Sequence, residues 1–255
     1  MRVVKAPAVQ ISPVLYSRDG TVEKVVRKIH ELGEHGVQFA TFPETVVPYY
    51  PYFAFIQTPY QLITGREHLK LLEQAVTVPS PATDAISDAC RQGRVVVSIG
   101  INERDQGTLY NTQLLFDADG ALLQRRRKIS ATYHERMIWG QGDGSGLRAV
   151  ESKVGRIGQL ACWEHYNPLA RLAMMADGEQ IHSAMYPGSI FGDLFSQQTE
   201  STSGSMLWSP LASYSALPPG WTRINWHKSL KTLVATSARS PAVASPRSLR
   251  LTEVC

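Results

Sequence analysis

The sequence predicts an α/β layered fold. Three observations lead there: apolar segments of strand length alternate with segments whose apolar residues recur at helical spacing. The segment Val95 to Ile101 is apolar almost throughout, as a strand buried on both faces would be. A hairpin signature interrupts the alternation near the middle of the chain. Alternating strands and helices bury their apolar faces best as stacked layers, which disfavours all-α and all-β alternatives.

Taken in order, residues 3–9 (V-V-K-A-P-A-V) read as a first strand, although Pro7 fits poorly in a buried one. Thr21 to His35 carries Val22, Val25, Val26, Ile29 and Leu32 at helical spacing, and Gly33 and Gly36 bracket its end. Val37 to Phe42 is a short strand running into Pro43-Glu44, and residues 45–60 read as a loop crowded with Pro and Tyr. Helices are expected around 67–76 and 82–92, followed by the strand at 95–101. Tyr110 to Phe116, a turn at Asp119-Gly120, and Ala121 to Arg127 form the hairpin. After a Gly-rich loop from Gly140 to Gly146 come a strand (Val154 to Cys162), a helix (Pro168 to Ala176) and a strand (Gln180 to Met185).

With 255 residues the chain has room for one large domain or two small ones. No apolar run reaches the roughly 18 residues of a membrane-spanning helix, so no membrane partner is expected. The N-terminal stretch reads as a strand rather than a signal peptide. Three cysteines, Cys90, Cys162 and Cys255, are too few and too odd in number for a disulfide framework and point to a reducing, cytoplasmic compartment. The net charge of +4 is unevenly spread. Residues 201–255 hold six Lys or Arg against one acid, leaving 20 basic and 21 acidic residues in 1–200. A near-neutral body argues against nucleic acid as a partner.

Three segments concentrate reactive groups: F-P-E at 42–44, R-R-R-K at 125–128 and C-W-E at 162–164. Each places a reactive side chain at or just past the end of an expected strand, where open α/β sheets build their sites. A carboxylate, an ammonium and a thiol meeting there would supply a base, an electrostatic stabiliser and a nucleophile.

In order and context these segments resemble the Glu-Lys-Cys triad of the nitrilase branch of the carbon-nitrogen hydrolase superfamily. The likeness continues through A-V-Q-I-S-P at 8–13, F-P-E-T-V-V-P at 42–48, Y-N-T at 110–112, R-R-K-I-S-A-T-Y-H-E-R at 126–136, W-G-Q-G-D-G-S-G at 139–146, G-Q-L-A-C-W-E-H-Y-N-P-L at 158–169 and M-Y-P-G-S at 185–189, covering residues 3–200 almost continuously. The resemblance implies an α-β-β-α sandwich and hydrolysis of a small-molecule nitrile to a carboxylic acid and ammonia, with no metal or cofactor. It further implies a homo-oligomer. Cys162 would be the nucleophile, Glu44 the base, Lys128 the stabiliser of charge developing on nitrogen, and Glu135 a second glutamate positioning the lysine and water. An amidase of the same superfamily, and an inactive chain that acts only as a binding protein, are the competing readings.

Each residue also has a plainer reading. A buried Cys is most often a small apolar residue, and Cys90, on an expected helix, keeps that reading. Glu44 could simply cap a helix. A run such as Arg125 to Lys128 is commonly a solvated face or anion patch, and Arg125 to Arg127 are assigned to structure or subunit contacts. Gly140 to Gly146 lacks the strand-to-helix setting and Lys-Ser/Thr ending of a phosphate cradle. Tyr50, Tyr52, Trp163 and Tyr186 are candidates to line an apolar substrate cleft. They could equally be core packing.

The texture changes after Glu200. Residues 201–255 contain eleven Ser, three Trp, one acid and no sustained period. The segments with which the family continues are missing, yet they become readable if one base is lost just after the codon for Ser201. Residues 1–200 are therefore expected to be the hydrolase domain. Residues 201–255 are expected to be a frameshifted, poorly ordered tail that leaves the sandwich incomplete at its C-terminal side and the printed chain weakly active and poorly soluble.

Overall fold

The computed structural model describes residues 4–187 together with the strands Trp221–Ile224 and Leu233–Ser237. Ser17 opens helix α1 (Arg18–Glu34) by accepting the Gly20 N–H, an N-cap that satisfies an otherwise orphaned donor. Strand β1 (Phe39–Thr41) follows. The expected loop then contains two short helices, α2 (Phe53–Ile56) and α3 (Pro59–Thr64). Thr58 supplies the reason for the second, because its side chain caps the Gln61 N–H and Pro59 presets the first helical position. Helix α4 (Glu67–Gln74) stops two residues short of the expected end, since Ala75 is extended and Val76 bridges to Glu103. Helix α5 is Pro81–Gly93.

The first sheet has the order β1-β2-β3-β4, with β2 (Val96–Asp105), β3 (Thr108–Phe116) and β4 (Leu122–Arg127). β1 and β2 run parallel, whereas β2 and β3 form a long antiparallel hairpin from Val97–Phe116 to Asp105–Thr108. The second sheet has the order β5-β6-β7-β9-β8, with β5 (Val150–Ser152), β6 (Gly155–Ala161), β7 (Ile181–Met185), β8 (Trp221–Ile224) and β9 (Leu233–Ser237). Helix α6 (Pro168–Ala176) connects β6 to its parallel neighbour β7.

Alternation along the strands assigns the layers. On β2, Val97, Ile99 and Ile101 pack with Val25, Ile29, Ile86 and Ala89 of α1 and α5. Val96 points the other way and joins Phe39, Leu115, Ile157 and Ile181 between the sheets. Leu160 of β6 packs outward on Ala170 and Met174 of α6. The result is helix, sheet, sheet, helix, as expected. A polar seam joins the sheets: Thr41 Oγ1 lies 3.1 Å from Ser183 Oγ, which donates to Ser98 Oγ at 2.8 Å.

One expected strand is absent and one strand was not expected. Residues 4–9 form no strand; Ala8 makes a single bridge to Thr41, and Pro7, having no N–H, cannot continue a ladder. The strand β5 was not anticipated, because three residues are too few to show a period. The expected domain boundary at 200 and most of the 201–255 tail lie outside the described residues. Among the described residues no helix is long and apolar enough to cross a membrane.

Candidate active site

The three reactive segments converge where the strands end. Glu44 follows β1 by three residues, Lys128 follows β4 directly, and Cys162 follows β6 directly. The Glu44 backbone N–H donates to the Tyr186 carbonyl at 3.2 Å, which closes the end of one sheet against the other.

Lys128 is the hub. Its Nζ donates to Glu44 Oε1 at 2.8 Å and to Glu135 Oε2 at 2.8 Å, and all three side chains are buried. Burial of ions is costly unless each is paired and hydrogen bonded. Glu44 Oε1 also accepts Asn111 Nδ2 at 2.6 Å, while Glu44 Oε2 has no partner among the described residues. Glu135 Oε2 accepts the Thr132 N–H at 2.6 Å, and its other oxygen accepts the Tyr50 hydroxyl. Two carboxylates share one ammonium here. Burial and the Glu135 charge push Glu44 up, against the opposing pull of Lys128, to a pKa of about 7. Burial opposes the charge on Lys128, but Glu44 and Glu135 more than compensate and hold it firmly cationic.

Cys162 opens a 3-10 turn (Cys162–Tyr166) and has φ +50°, the left-handed region that a residue with a Cβ adopts only at a cost. It is sealed against Ala184 and Tyr186. Burial and the charge of Glu44 raise its thiol well above the ordinary range; Lys128 and the Trp163 N–H act the other way. The resting thiol is therefore protonated, beside a carboxylate poised near neutrality.

Glu164, two residues on, fixes the turn. Its carboxylate takes both prongs of Arg126, each at 2.8 Å, and the N–H groups of Ile129 and Ala161 at 2.8 and 2.9 Å. That brace joins the end of β4 to the end of β6. Arg125 and Arg127 both bind Glu103, and Arg127 also stacks on Tyr110, with its guanidinium 3.7 Å from the ring centre. The arginine run is thus internal structure. The Gly-rich loop has a packing role: a Cβ on Gly142 would stand 2.3 Å from the Arg127 carbonyl oxygen.

Of the four aromatic candidates, Tyr50, Tyr52 and Tyr186 line a cavity of about 370 Å³ with Glu44 and Tyr49. Trp163 instead lines a separate cavity of about 340 Å³ with Tyr133, Arg136 and Tyr166. Cys90 is buried in α5 within the core, and burial raises its thiol. Sequence reasoning assigned no role to Asn111 or Glu164, gave Arg126 only a general structural or subunit-contact role, and missed the Tyr50–Glu135 contact. Asn111, Arg126 and Glu164 stood inside the quoted motifs, but only folding shows their partners.

A carbon-nitrogen hydrolase family model matches residues 5–217. A protein named Nitrilase 3, from an unknown prokaryotic organism, is 78% identical over 200 residues, 78% of this chain and 61% of its own length. A nitrilase of Paraburkholderia phymatum is 52% identical over 201 residues, 79% of this chain and 58% of its own. The chain thus spans about 60% of the length of these curated relatives. The fold is also that of a carbon-nitrogen hydrolase from Helicobacter pylori G27, with a TM-score of 0.62 at 20% identity over 82% of this chain and 70% of that one. With a family model matching most of its length and the helix-sheet-sheet-helix sandwich in place, the chain belongs to the carbon-nitrogen hydrolase family.

Proposed function

We propose that this chain carries the catalytic machinery of a nitrilase, with Cys162 as nucleophile, Glu44 as base, Lys128 as electrostatic stabiliser and Glu135 as the residue that holds Lys128. The observation carrying the reading is the buried Glu44–Lys128–Glu135 network acting on the Cys162 thiol. The thiol proton passes to Glu44 as sulfur bonds to the nitrile carbon, and the developing charge on nitrogen faces the Lys128 ammonium. The nitrogen is protonated, giving a thioimidate. A water activated by Glu44 adds to its carbon, and ammonia leaves to give a thioester. A second water releases the carboxylic acid and restores the thiol, so that nitrile and two waters become acid and ammonia.

Tyr50, Tyr52 and Tyr186 are read as walls of the nitrile pocket, and Trp163 as a neighbour of the nucleophile that shapes its other side. The similarity to proteins named nitrilase favours nitriles over amides. The internal pairing of Arg125 to Arg127 supports a small molecule rather than a nucleic acid as partner. A cytoplasmic homo-oligomer and a hydrolase domain spanning residues 1–200, followed by a tail that contributes β8 and β9 to the second sheet, complete the proposal. The test is ammonia and acid release from aliphatic, aryl and arylacetonitrile substrates, with the matching amides in parallel. Nitrile turnover lost in Cys162→Ala is the expected result. Turnover of amides alone would assign an amidase instead, and release from neither class would favour a binding protein.

A further inference from the structure

Behind the nucleophile lies a second buried polar chain that the mechanism above does not use. Glu179, in the connection between α6 and β7, has Oε2 2.8 Å from His182 Nδ1. His182 Nε2 is 3.1 Å from His165 Nε2, and His165 Nδ1 is 2.6 Å from the carbonyl oxygen of Cys162. All three side chains are buried. The second sheet makes room for them: Gly158 is the register neighbour of His182 on β6, and a Cβ there would fall 1.9 Å from Glu179 Oε2. Among the described residues no group of His, Cys, Asp and Glu is arranged to hold a metal.

Counting protons makes this chain informative. A carbonyl oxygen only accepts, so His165 must carry its proton on Nδ1 to bond Cys162. His165 Nε2 is then a lone pair unless the ring is doubly protonated. Burial, His182, Arg126 and Lys128 all disfavour that second proton. The 3.1 Å contact therefore requires a proton on His182 Nε2. If His182 were also protonated only on Nδ1, toward an ionised Glu179, two lone pairs would face each other inside a dry site. All three contacts are satisfied only when Glu179 and His182 together hold one proton more, either as carboxylate with imidazolium or as carboxylic acid with imidazole.

We propose that Glu179, His182 and His165 form a positioning relay that stores one proton and uses it to tie down the carbonyl of Cys162, holding the nucleophile in its left-handed backbone conformation. The charged and titratable groups that bear on it are Glu179 itself, Arg126 and Lys128 from β4 and the segment after it, Cys162, and the Tyr186 ring stacked on His165 at 5.1 Å. None of the three relay residues lines either cavity.

The relay rests on Cys162 being the nucleophile, yet its own test does not require nitrile turnover. Nitrogen-15 NMR of histidine-labelled protein reads the ring protons directly. Protonation of His165 at Nδ1 and His182 at Nε2 near neutral pH is expected; a bare His182 Nε2 there overturns the proposal. Glu179→Gln is the discriminating variant. Its amide can donate to His182 Nδ1, so that neutral groups satisfy all three contacts, and His182 should keep its proton on Nε2 with Nδ1 bare. Glu179→Ala should slow iodoacetamide labelling of Cys162, followed by peptide mass spectrometry, at least threefold, with Glu179→Gln within twofold of wild type. Gly158→Ala, which displaces the Glu179 carboxylate without altering a relay residue, should behave like Glu179→Ala. If nitriles are turned over, Glu179→Ala should lower kcat with KM little changed. Equal labelling in all variants overturns the relay. An intact NMR and labelling pattern without nitrile turnover overturns only the nitrilase reading.

Discussion

Arg126 and Glu164 meet as a two-pronged ion pair, both contacts at 2.8 Å and both side chains almost wholly buried. The pair spans the ends of β4 and β6, and these are the strands that deliver Lys128 and Cys162. Its function is alignment: the ammonium and the thiol stand on different sheets, and this brace fixes one end against the other. Removing one partner leaves a buried ion uncompensated. Arg126→Met is expected to cost about 3–5 kcal/mol of stability, measured by urea unfolding. A loss below about 1 kcal/mol would mean that water reaches Glu164 and the brace is not needed.

Glu44 should give the site its pH dependence. A base must be ionised to accept the thiol proton, so kcat/KM should fall as pH drops through about 7. Stability follows the opposite course. With the folded pKa above the unfolded value, the native state binds more protons between about 4.5 and 7, and the Glu44 contribution declines as pH rises across that window. Relative to Glu44→Gln, the wild type should lose about 3 kcal/mol between pH 4 and pH 8. Parallel denaturation curves at both pH values provide the check, and a difference independent of pH would show that Glu44 is ionised throughout.

Tyr50 connects the cavity wall to the charge network, because its hydroxyl donates to the Glu135 oxygen that Lys128 does not use. Tyr50→Phe keeps the ring in place but leaves that oxygen without its donor. The expected cost is about 1.5–3 kcal/mol, the usual range for a hydrogen bond to a charged group. Activity should fall mainly through kcat, as Lys128 loses its fixed position. Steady-state kinetics that show only a raised KM would make Tyr50 a substrate contact alone.

The backbone at Cys162 invites a comparison of two variants that lack the thiol. In ordinary positions Ala is the more stabilising residue, since Gly has more chain entropy to lose. At φ +50° the order should reverse, with Cys162→Gly more stable than Cys162→Ala by about 1 kcal/mol. Thermal melting of the two proteins decides this. Equal melting temperatures would mean that the turn relaxes once the sulfur is gone.

Much of this protein was legible in one dimension. Helical spacing located α1, α5 and α6 because each buries one stripe, and the unbroken apolar run at 95–101 marked a strand covered on both faces. The positions of Glu44, Lys128 and Cys162 past strand ends followed from the same local patterns. Short elements escaped because β5 and α2 are too brief to show a period. Residues 4–9 misled because apolar composition does not reveal where a ladder has a partner. The arginine run at 125–127 was assigned to structure or subunit contacts, but its partners Glu103 and Glu164 come from distant points in the chain.

The sequence by itself determined the layered α/β fold, most of its elements and the reactive groups, because periodicity and motif are local properties of a chain. Only the tertiary structure decided that Asn111 serves Glu44, that Tyr50 serves Glu135, that Trp163 lines a different cavity from Tyr186, and that Glu179 reaches Cys162 through two histidines. Those are contacts between residues far apart in sequence, or matters of where a side chain points. Burial gives them their strength, since a charge or a proton removed from water is held by whichever partner the fold places within hydrogen-bonding reach.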